Sequence, residues 1–305
     1  MIKAYSLNII LAAIFAFLFI GCNPKTEHKH FLWKVSNSNS SIYIMGSIHL
    51  ADSSFYPLDP VIEKAFNNSD ELAVEIDMSN DSILQEIAIQ NEIYGMLLDN
   101  ESLDSILPND LRTSLDSICI SWHIPIGRFN RYKPWAAAMT LNSIGIMRLG
   151  YNYTLGIDLH FIHLANKTGK KIISLESVED QVQALTGDGV SDSIGIYFMK
   201  KTLHEIGFID FSISQMMQAW KNGNDTLFWN ALNNMDTANT SDYSLQKEID
   251  ERIYFSRNRA ISDSIEKMLN ENRKVFVVIG AAHLVGEGNN IIKILSHKGF
   301  TIEQL

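Results

Sequence analysis

Two short apolar runs, one near each end of the chain, finish in the same way. Ser41-Ile42-Tyr43-Ile44-Met45 passes into Gly46-Ser47-Ile48-His49, and Lys274-Val275-Phe276-Val277-Val278-Ile279 passes into Gly280-Ala281-Ala282-His283. Such short, β-branched, almost unbroken apolar runs suit strands buried on both faces, the habit of parallel strands covered by helices. Glu71-Leu72-Ala73-Val74-Glu75-Ile76-Asp77 and Lys171-Ile172-Ile173-Ser174-Leu175-Glu176 are built alike. The expected fold is therefore α/β, with a mainly parallel or mixed central sheet drawing strands from both chain ends. A β-rich fold is excluded because too few runs alternate between apolar and polar.

Most of the remaining chain carries helical spacing. Pro60 to Asn67, Ser82 to Leu98 and Leu111 to Ile120 place apolar residues on one helical face. Pro134 to Gly150 has Pro in its first turn and Gly after its last, apt helix bounds. Ile157 to Thr168 is closed by Gly169. Residues 191–221 read as two helices and Tyr243 to Asn270 as one long helix. One domain over 31–305 follows, with helical insertions near 80–150 and 185–240.

Composition bounds the function. The 305 residues are 46% hydrophobic and 20% charged, ordinary for a globular chain. A formal charge of −10 without any Lys/Arg run excludes general binding to a nucleic-acid backbone, which needs clustered cations. No Walker loop, Gly-x-Gly-x-x-Gly, His-Glu-x-x-His or Gly-x-Ser-x-Gly occurs, so nucleotide binding, zincin chemistry and serine-hydrolase chemistry have no support.

The first residues read as an address. Met1 to Ile20 carries the single charge Lys3 and a long apolar run, then Gly21-Cys22-Asn23-Pro24 follows. A short basic start, an apolar core and a small residue describe a secretory signal. Its ending resembles a bacterial lipobox, with cleavage before Cys22 and lipid on that residue. Residues 22–30 then form a polar tether, with His28 and His30 as solvated linker residues. The expected location is the bacterial cell envelope, with a membrane contact through the lipid. Only two Cys exist, Cys22 and Cys119. Cys119 then has no disulfide partner and sits on an apolar helical stripe as a buried small hydrophobe.

The repeated Gly-x-x-His carries the chemistry. Ligands of a parallel sheet collect beyond the carboxyl ends of its strands. A Gly there permits a sharp exit, and the His three residues on is displayed past the strand end. On neighbouring strands, His49 and His283 would share one edge with Glu75, at the end of a third strand, and with Asp77. Two imidazoles and a carboxylate are a common set for a divalent catalytic metal. The alternative is that both histidines only satisfy loop backbone groups.

The residues resemble the TraB/GumN family, which includes the Tiki proteins that act as metal-dependent proteases. The resemblance rests on Trp33-Lys34-Val35, then Ile42 to His49, then Glu71 to Asp77. It continues through Lys133-Pro134-Trp135, Gly156-Ile157-Asp158, Ala165, Gly169-Lys170, Leu175-Glu176 and Gln181. Arg257-Asn258-Arg259 precedes the closing Val278 to Gly286. It covers about 31–305. It implies His49 and His283 as the family histidines with Glu75 as their carboxylate, and Arg257-Asn258 as the family's Arg-Asn pair. Arg257 would neutralise developing charge or grip a carboxylate. Asp158 and Glu176 match family positions and would orient an imidazole. His160 and His163, spaced i,i+3, lie outside the motif and read as helix-face residues.

The expected function is a membrane-tethered, metal-dependent hydrolase, peptidase-like, acting on a peptide or small molecule. Zn, Mn, Co or Fe would suit the donors. Two alternatives stay open: a metal-independent, esterase-like hydrolase with His and Glu as general base, and a non-catalytic lipoprotein binding haem or another ligand.

Overall fold

The computed structural model describes residues 28–186, 192–233 and 243–305. The leader, Cys22 and most of the tether lie outside the described residues. Six strands form one sheet: β1 (Leu32–Ser36), β2 (Ser41–Ser47), β3 (Glu71–Val74), β4 (Lys171–Ser174), β5 (Val275–Gly280) and β6 (Thr301–Gln304). Their order is β4-β3-β5-β2-β1-β6. The four strands β4, β3, β5 and β2 run parallel, and β1 and β6 add antiparallel pairs at one side. The sheet is thus mixed, as an α/β fold built from both chain ends requires.

β5 sits centrally with all six residues buried, which is why Val275 to Ile279 needs no polar alternation. Its register on β2 decides the site. Gly46 pairs with Ile279 and Ser47 with Gly280, so the two glycine exits lie side by side. β3 flanks β5 on its other side, with Val74 opposite Val278. Glu75 therefore leaves the sheet at the same edge.

β1 and β6 were not legible as strands. β1 joins β2 through a tight turn in which Asn37 Oδ1 accepts the N–H groups of Asn39 and Ser40. β6 is an edge strand of four residues, two of them exposed, too short and polar to stand out. His30 also differs from a solvated tether residue. It is 8% exposed, its N–H donates to Leu305 O at 2.5 Å, and its ring lies 3.7 Å from Asp59. His30 thus packs at the sheet's antiparallel side.

The helices follow the apolar spacing. Pro60–Asn67 is capped by Asp59, whose side chain accepts the Val61 N–H. Ile157–Thr168 ends at Gly169, φ 71°, where a left-handed residue is needed. The stretch expected as one long helix is Tyr243–Asp250 and Ser256–Asn270 joined by a π-helical turn, Glu251–Phe255. The helices of 81–148 and 192–208 share a second apolar core holding Leu103, Leu115, Phe129, Leu141 and Met199. Cys119 lies in it, 2% exposed, and burial pushes its thiol pKa up, as expected of a packing residue. Among the described residues no helix is long and apolar enough to cross a membrane.

Candidate active site

Three strand ends deliver the key side chains. After β2, the Trp220 indole donates to Gly46 O at 2.8 Å and fixes the exit. Helix Ile157–Thr168 docks onto the following loop, with Ile157 N–H bonded to Ile48 O at 3.0 Å. Gly156 permits this approach, because a Cβ there would lie 2.4 Å from His49 O. The docking sets Asp158, in the helix's first turn, against His49. Asp158 Oδ2 lies 2.9 Å from His49 Nδ1, and Asp158 Oδ1 accepts the Ser47 hydroxyl at 2.7 Å.

His283 is held by a different partner of the same geometry. Its Nδ1 lies 2.6 Å from Asn258 Oδ1, while Asn258 Nδ2 donates to Asn289 O at 2.9 Å. The second bond fixes the amide's orientation. The carbonyl oxygen facing His283 can only accept, so Nδ1 carries the proton and Nε2 keeps a bare lone pair in the neutral ring. Both histidines are thus oriented through Nδ1, the way metal-binding imidazoles are usually held.

Glu75 is locked between them. Oε1 accepts the Gly280 N–H at 2.6 Å, and Oε2 accepts Arg257 Nη2 at 2.9 Å and Gln181 Nε2 at 3.2 Å. Arg257 grips Glu176 in a fork, Nε to Oε1 at 2.7 Å and Nη2 to Oε2 at 2.6 Å, while Nη1 donates to Ile253 O at 3.1 Å. Arg257 therefore spans two buried carboxylates.

Gly280 marks where the set converges. A Cβ on this residue would stand 3.2 Å from Glu75 Oε1, 3.6 Å from His49 Nε2 and 3.6 Å from His283 Cδ2. All three groups face the side of Gly280 on which a side chain would stand.

The environment splits the two imidazoles. The Asp158 carboxylate raises the His49 pKa to about 9, against the opposing effect of burial. The His49 side chain is 57% exposed, so water screens this attraction. Burial pushes His283 down to about 4, against the pull of Glu75. Burial raises the Glu75 carboxyl, but His283, His49, Arg257 and the Gly280 N–H together bring it below the ordinary range. Asp158 is likewise net lowered: His49 and the Ser47 hydroxyl outweigh its burial.

The structure thus brings together His49, His283, Glu75, Arg257, Asn258, Asp158 and Glu176, with Gly46 and Gly280 at the strand exits. It does not bring in Asp77, whose carboxylate accepts the Ser79 N–H at 3.0 Å and hydroxyl at 2.6 Å and so closes its own turn. His160 packs on Tyr56 and Phe161, and His163 is exposed, both as helix-face residues. Three participants had no role assigned from sequence. Ser47 is an x of Gly-x-x-His, and Gln181 lies five residues after Glu176. Tyr254, its ring 5.5 Å from His283, sits three residues before Arg257. The i,i+3 spacing before Arg257 was the readable sign of Tyr254.

A divalent metal can be judged against these donors. Among the described residues no group of three or more His, Cys, Asp or Glu side chains is arranged to hold a metal ion. The donor chemistry nevertheless fits. Each imidazole has Nδ1 tied back and Nε2 directed away from that tie. Glu75 Oε1, accepting one hydrogen bond, retains a second lone pair. The set is an open one, of two nitrogens and one oxygen.

The model of the TraB/PrgY/gumN family matches residues 31–304. The chain is 26% identical over 264 residues to an uncharacterized protein, YbaP, of Escherichia coli (strain K12), a match covering 85% of this chain and 91% of that one. It is 22% identical over 326 residues to the metalloprotease TIKI2 of Xenopus tropicalis, covering 92% and 61% of the two. It is 21% identical over 327 residues to the metalloprotease TIKI1 of Homo sapiens, covering 92% and 62%. The chain thus spans about three fifths of the length of these metalloproteases. No solved structure matches the chain.

Proposed function

We infer that this chain, which belongs to the TraB/PrgY/gumN family, is a divalent-metal-dependent hydrolase with peptidase-like activity. The observation that carries this reading is the convergence on Gly280: Glu75 Oε1, His49 Nε2 and the His283 ring face one small volume from three strand ends. The likeness to TIKI1 and TIKI2, named as metalloproteases, supports it.

In this reading His49 and His283 hold the metal through Nε2, with Glu75 Oε1 as the oxygen donor. A bound divalent ion supplies a Lewis acid and lowers the pKa of its water towards neutrality. The donor set does not favour one of Zn, Mn, Co or Fe over the others. Asp158 holds the His49 ring, and Asn258 holds the tautomer of His283 that leaves Nε2 bare. His283, His49, Arg257 and the Gly280 N–H together keep Glu75 ionised. That suits holding a cation or orienting a water more than removing a proton outright, since a lowered pKa makes a weaker base. Arg257 has one Nη1 N–H left after its four hydrogen bonds. Its main role is to position Glu75 and to cancel the charge of the Glu75–Glu176 pair.

The leader supports a further part of the proposal. Lipid on Cys22 would tether the domain outside the cytoplasm, in a bacterial cell envelope, through a short polar link. Incorporation of labelled fatty acid, lost in Cys22→Ala, tests it.

The central test is metal analysis of the purified chain beside His49→Ala and His283→Ala, together with cleavage of a peptide library with and without EDTA. The wild type should hold metal and cleave. Each variant should lose both while keeping its fold, and EDTA should abolish cleavage until metal is returned. Cleavage that survives EDTA would replace this reading with metal-independent hydrolysis. A Soret band on haem addition without any cleavage would replace it with ligand binding.

A further inference from the structure

A cavity of about 810 Å³ lies beside the convergence point, within the size range of small-molecule sites. It is lined by the supports of His283 rather than by the three converging groups themselves. Asn258, which holds His283 Nδ1, lines it, and so does Tyr254, whose ring is 5.5 Å from His283. The segment around His283 forms one wall with Ala282, Val285 and Gly288. Gly286 lets Trp229 close over that segment. Its φ is 93°, and a Cβ on it would overlap the indole at 2.4 Å.

The other walls come from the helical insertion around 185–240, from helix Pro134–Arg148 and from the π-helical turn. Ile146, Phe198, Met216, Trp229 and Tyr254 give the cavity an apolar, aromatic interior. Its charged lining is mostly negative: Glu205, Asp250 and Glu287 against Lys201, which pairs with Glu205 at 3.8 Å. Such a space suits an apolar group and repels a carboxylate. Its size exceeds any one side chain and suits a large apolar side chain together with adjoining peptide.

We propose that this cavity is the specificity pocket of the hydrolytic site, and that it receives a large apolar side chain of a peptide bound beside the His283 end of the site. The assignment rests on the hydrolase reading for its catalytic meaning, and on Asn258 and Tyr254, which line the cavity and flank His283, for its place. Both insertions then serve the site, because they wall the pocket that the sheet alone lacks.

The test is equilibrium binding, which does not need turnover. Blocked peptides Ala-Ala-X-Ala-Ala, N-methylated at the bonds flanking X so that they are not cut, are titrated calorimetrically with X as Leu, Phe, Ser or Asp. Leu and Phe should bind about tenfold tighter than Asp, the order of effect that burying one apolar side chain gives. Met216→Lys, placing a cation in the apolar lining from helix Ile209–Lys221, should shift the preference from Leu and Phe towards Asp, and Met216→Leu should keep it. Ile146→Lys, on a different helix, is a second charged variant should the first fail to fold. Metal content of the same samples separates the two ideas. A wild type that binds metal but does not discriminate among X, or folded charged variants that keep the wild-type preference, overturns the pocket assignment alone. A wild type that discriminates among X but takes up no metal overturns the hydrolase reading and leaves the pocket.

Discussion

Arg257 Nη2 stands 2.9 Å from Glu75 Oε2, although the two residues are 182 positions apart and both side chains are nearly buried. The same guanidinium forks onto Glu176. Two carboxylates at one sheet edge repel each other unless a cation lies between them, and Arg supplies a planar one with donors in fixed directions.

Removing that cation leaves two buried charges without their partner. Arg257→Ala should cost about 3–5 kcal/mol of stability, the range for breaking a buried ion pair from one side. Arg257→Lys should recover only part of this, because an ammonium cannot fork. Urea unfolding of the three proteins measures it. A loss below about 1 kcal/mol for Arg257→Ala, typical of surface pairs, would show that Glu75 and Glu176 do not depend on Arg257.

Asp158 acts through His49 and not on substrate. Asp158→Asn keeps the shape but removes the charge that favours the Nδ1 proton. Metal affinity should fall by about 10–100-fold, the usual effect of losing an imidazole's supporting carboxylate. The metal-free protein should melt somewhat lower at neutral pH, because the pairing that raises His49 is lost, while the amide still accepts from Ser47. Competition against a chelating dye reads the affinity. Unchanged affinity would remove Asp158 from the site.

Two glycines separate site space from folding space. At Gly280 a Cβ meets only side-chain atoms of the site, at 3.2–3.6 Å, and φ is −49°, which any residue adopts. Gly280→Ala should therefore fold with a loss under about 1.5 kcal/mol and yet lose metal or activity. At Gly156 a Cβ meets His49 O at 2.4 Å, backbone that cannot swing aside. Gly156→Ala should cost more, about 1–3 kcal/mol, by prising the helix from the loop. Melting temperature and metal content, measured together, check the contrast. Equal effects on both properties at both positions would mean the volume beside Gly280 is ordinary packing space.

What the chain discloses in advance follows the range of the forces involved. The buried strands, the helix bounds at Pro134 and Gly169, and the two Gly-x-x-His exits are local patterns, and they were readable. The meeting of His49 with His283 was only an expectation until the β2–β5 register placed Gly46 and Gly280 side by side. Asp77 misled because alternation along a strand puts it on the face of Glu75, whereas the chain turns there and Asp77 caps the turn. The π-helical turn before Arg257 left no mark, since it is set by packing around Ile253 and Tyr254 rather than by propensity. Edge strand β6 owes its form to β1 and carries no pattern of its own.

His30 gives the antiparallel side of the sheet a measurable response to acid. Burial, the largest cause, and the neighbouring His28 lower its pKa, and Asp59 only partly opposes them. In the folded protein the ring therefore resists protonation, while in the unfolded chain it takes a proton near the usual value of about 6.5. The unfolded state binds more protons as pH falls below that value, so His30 contributes stability that is present above it and is lost through acidification towards the folded pKa. His30→Gln removes the titration but can keep a polar group near Asp59. Melting temperatures followed from pH 7.5 to pH 5 should fall more steeply for the wild type than for the variant. Parallel curves would show that the ring is hydrated in solution and not buried against the sheet.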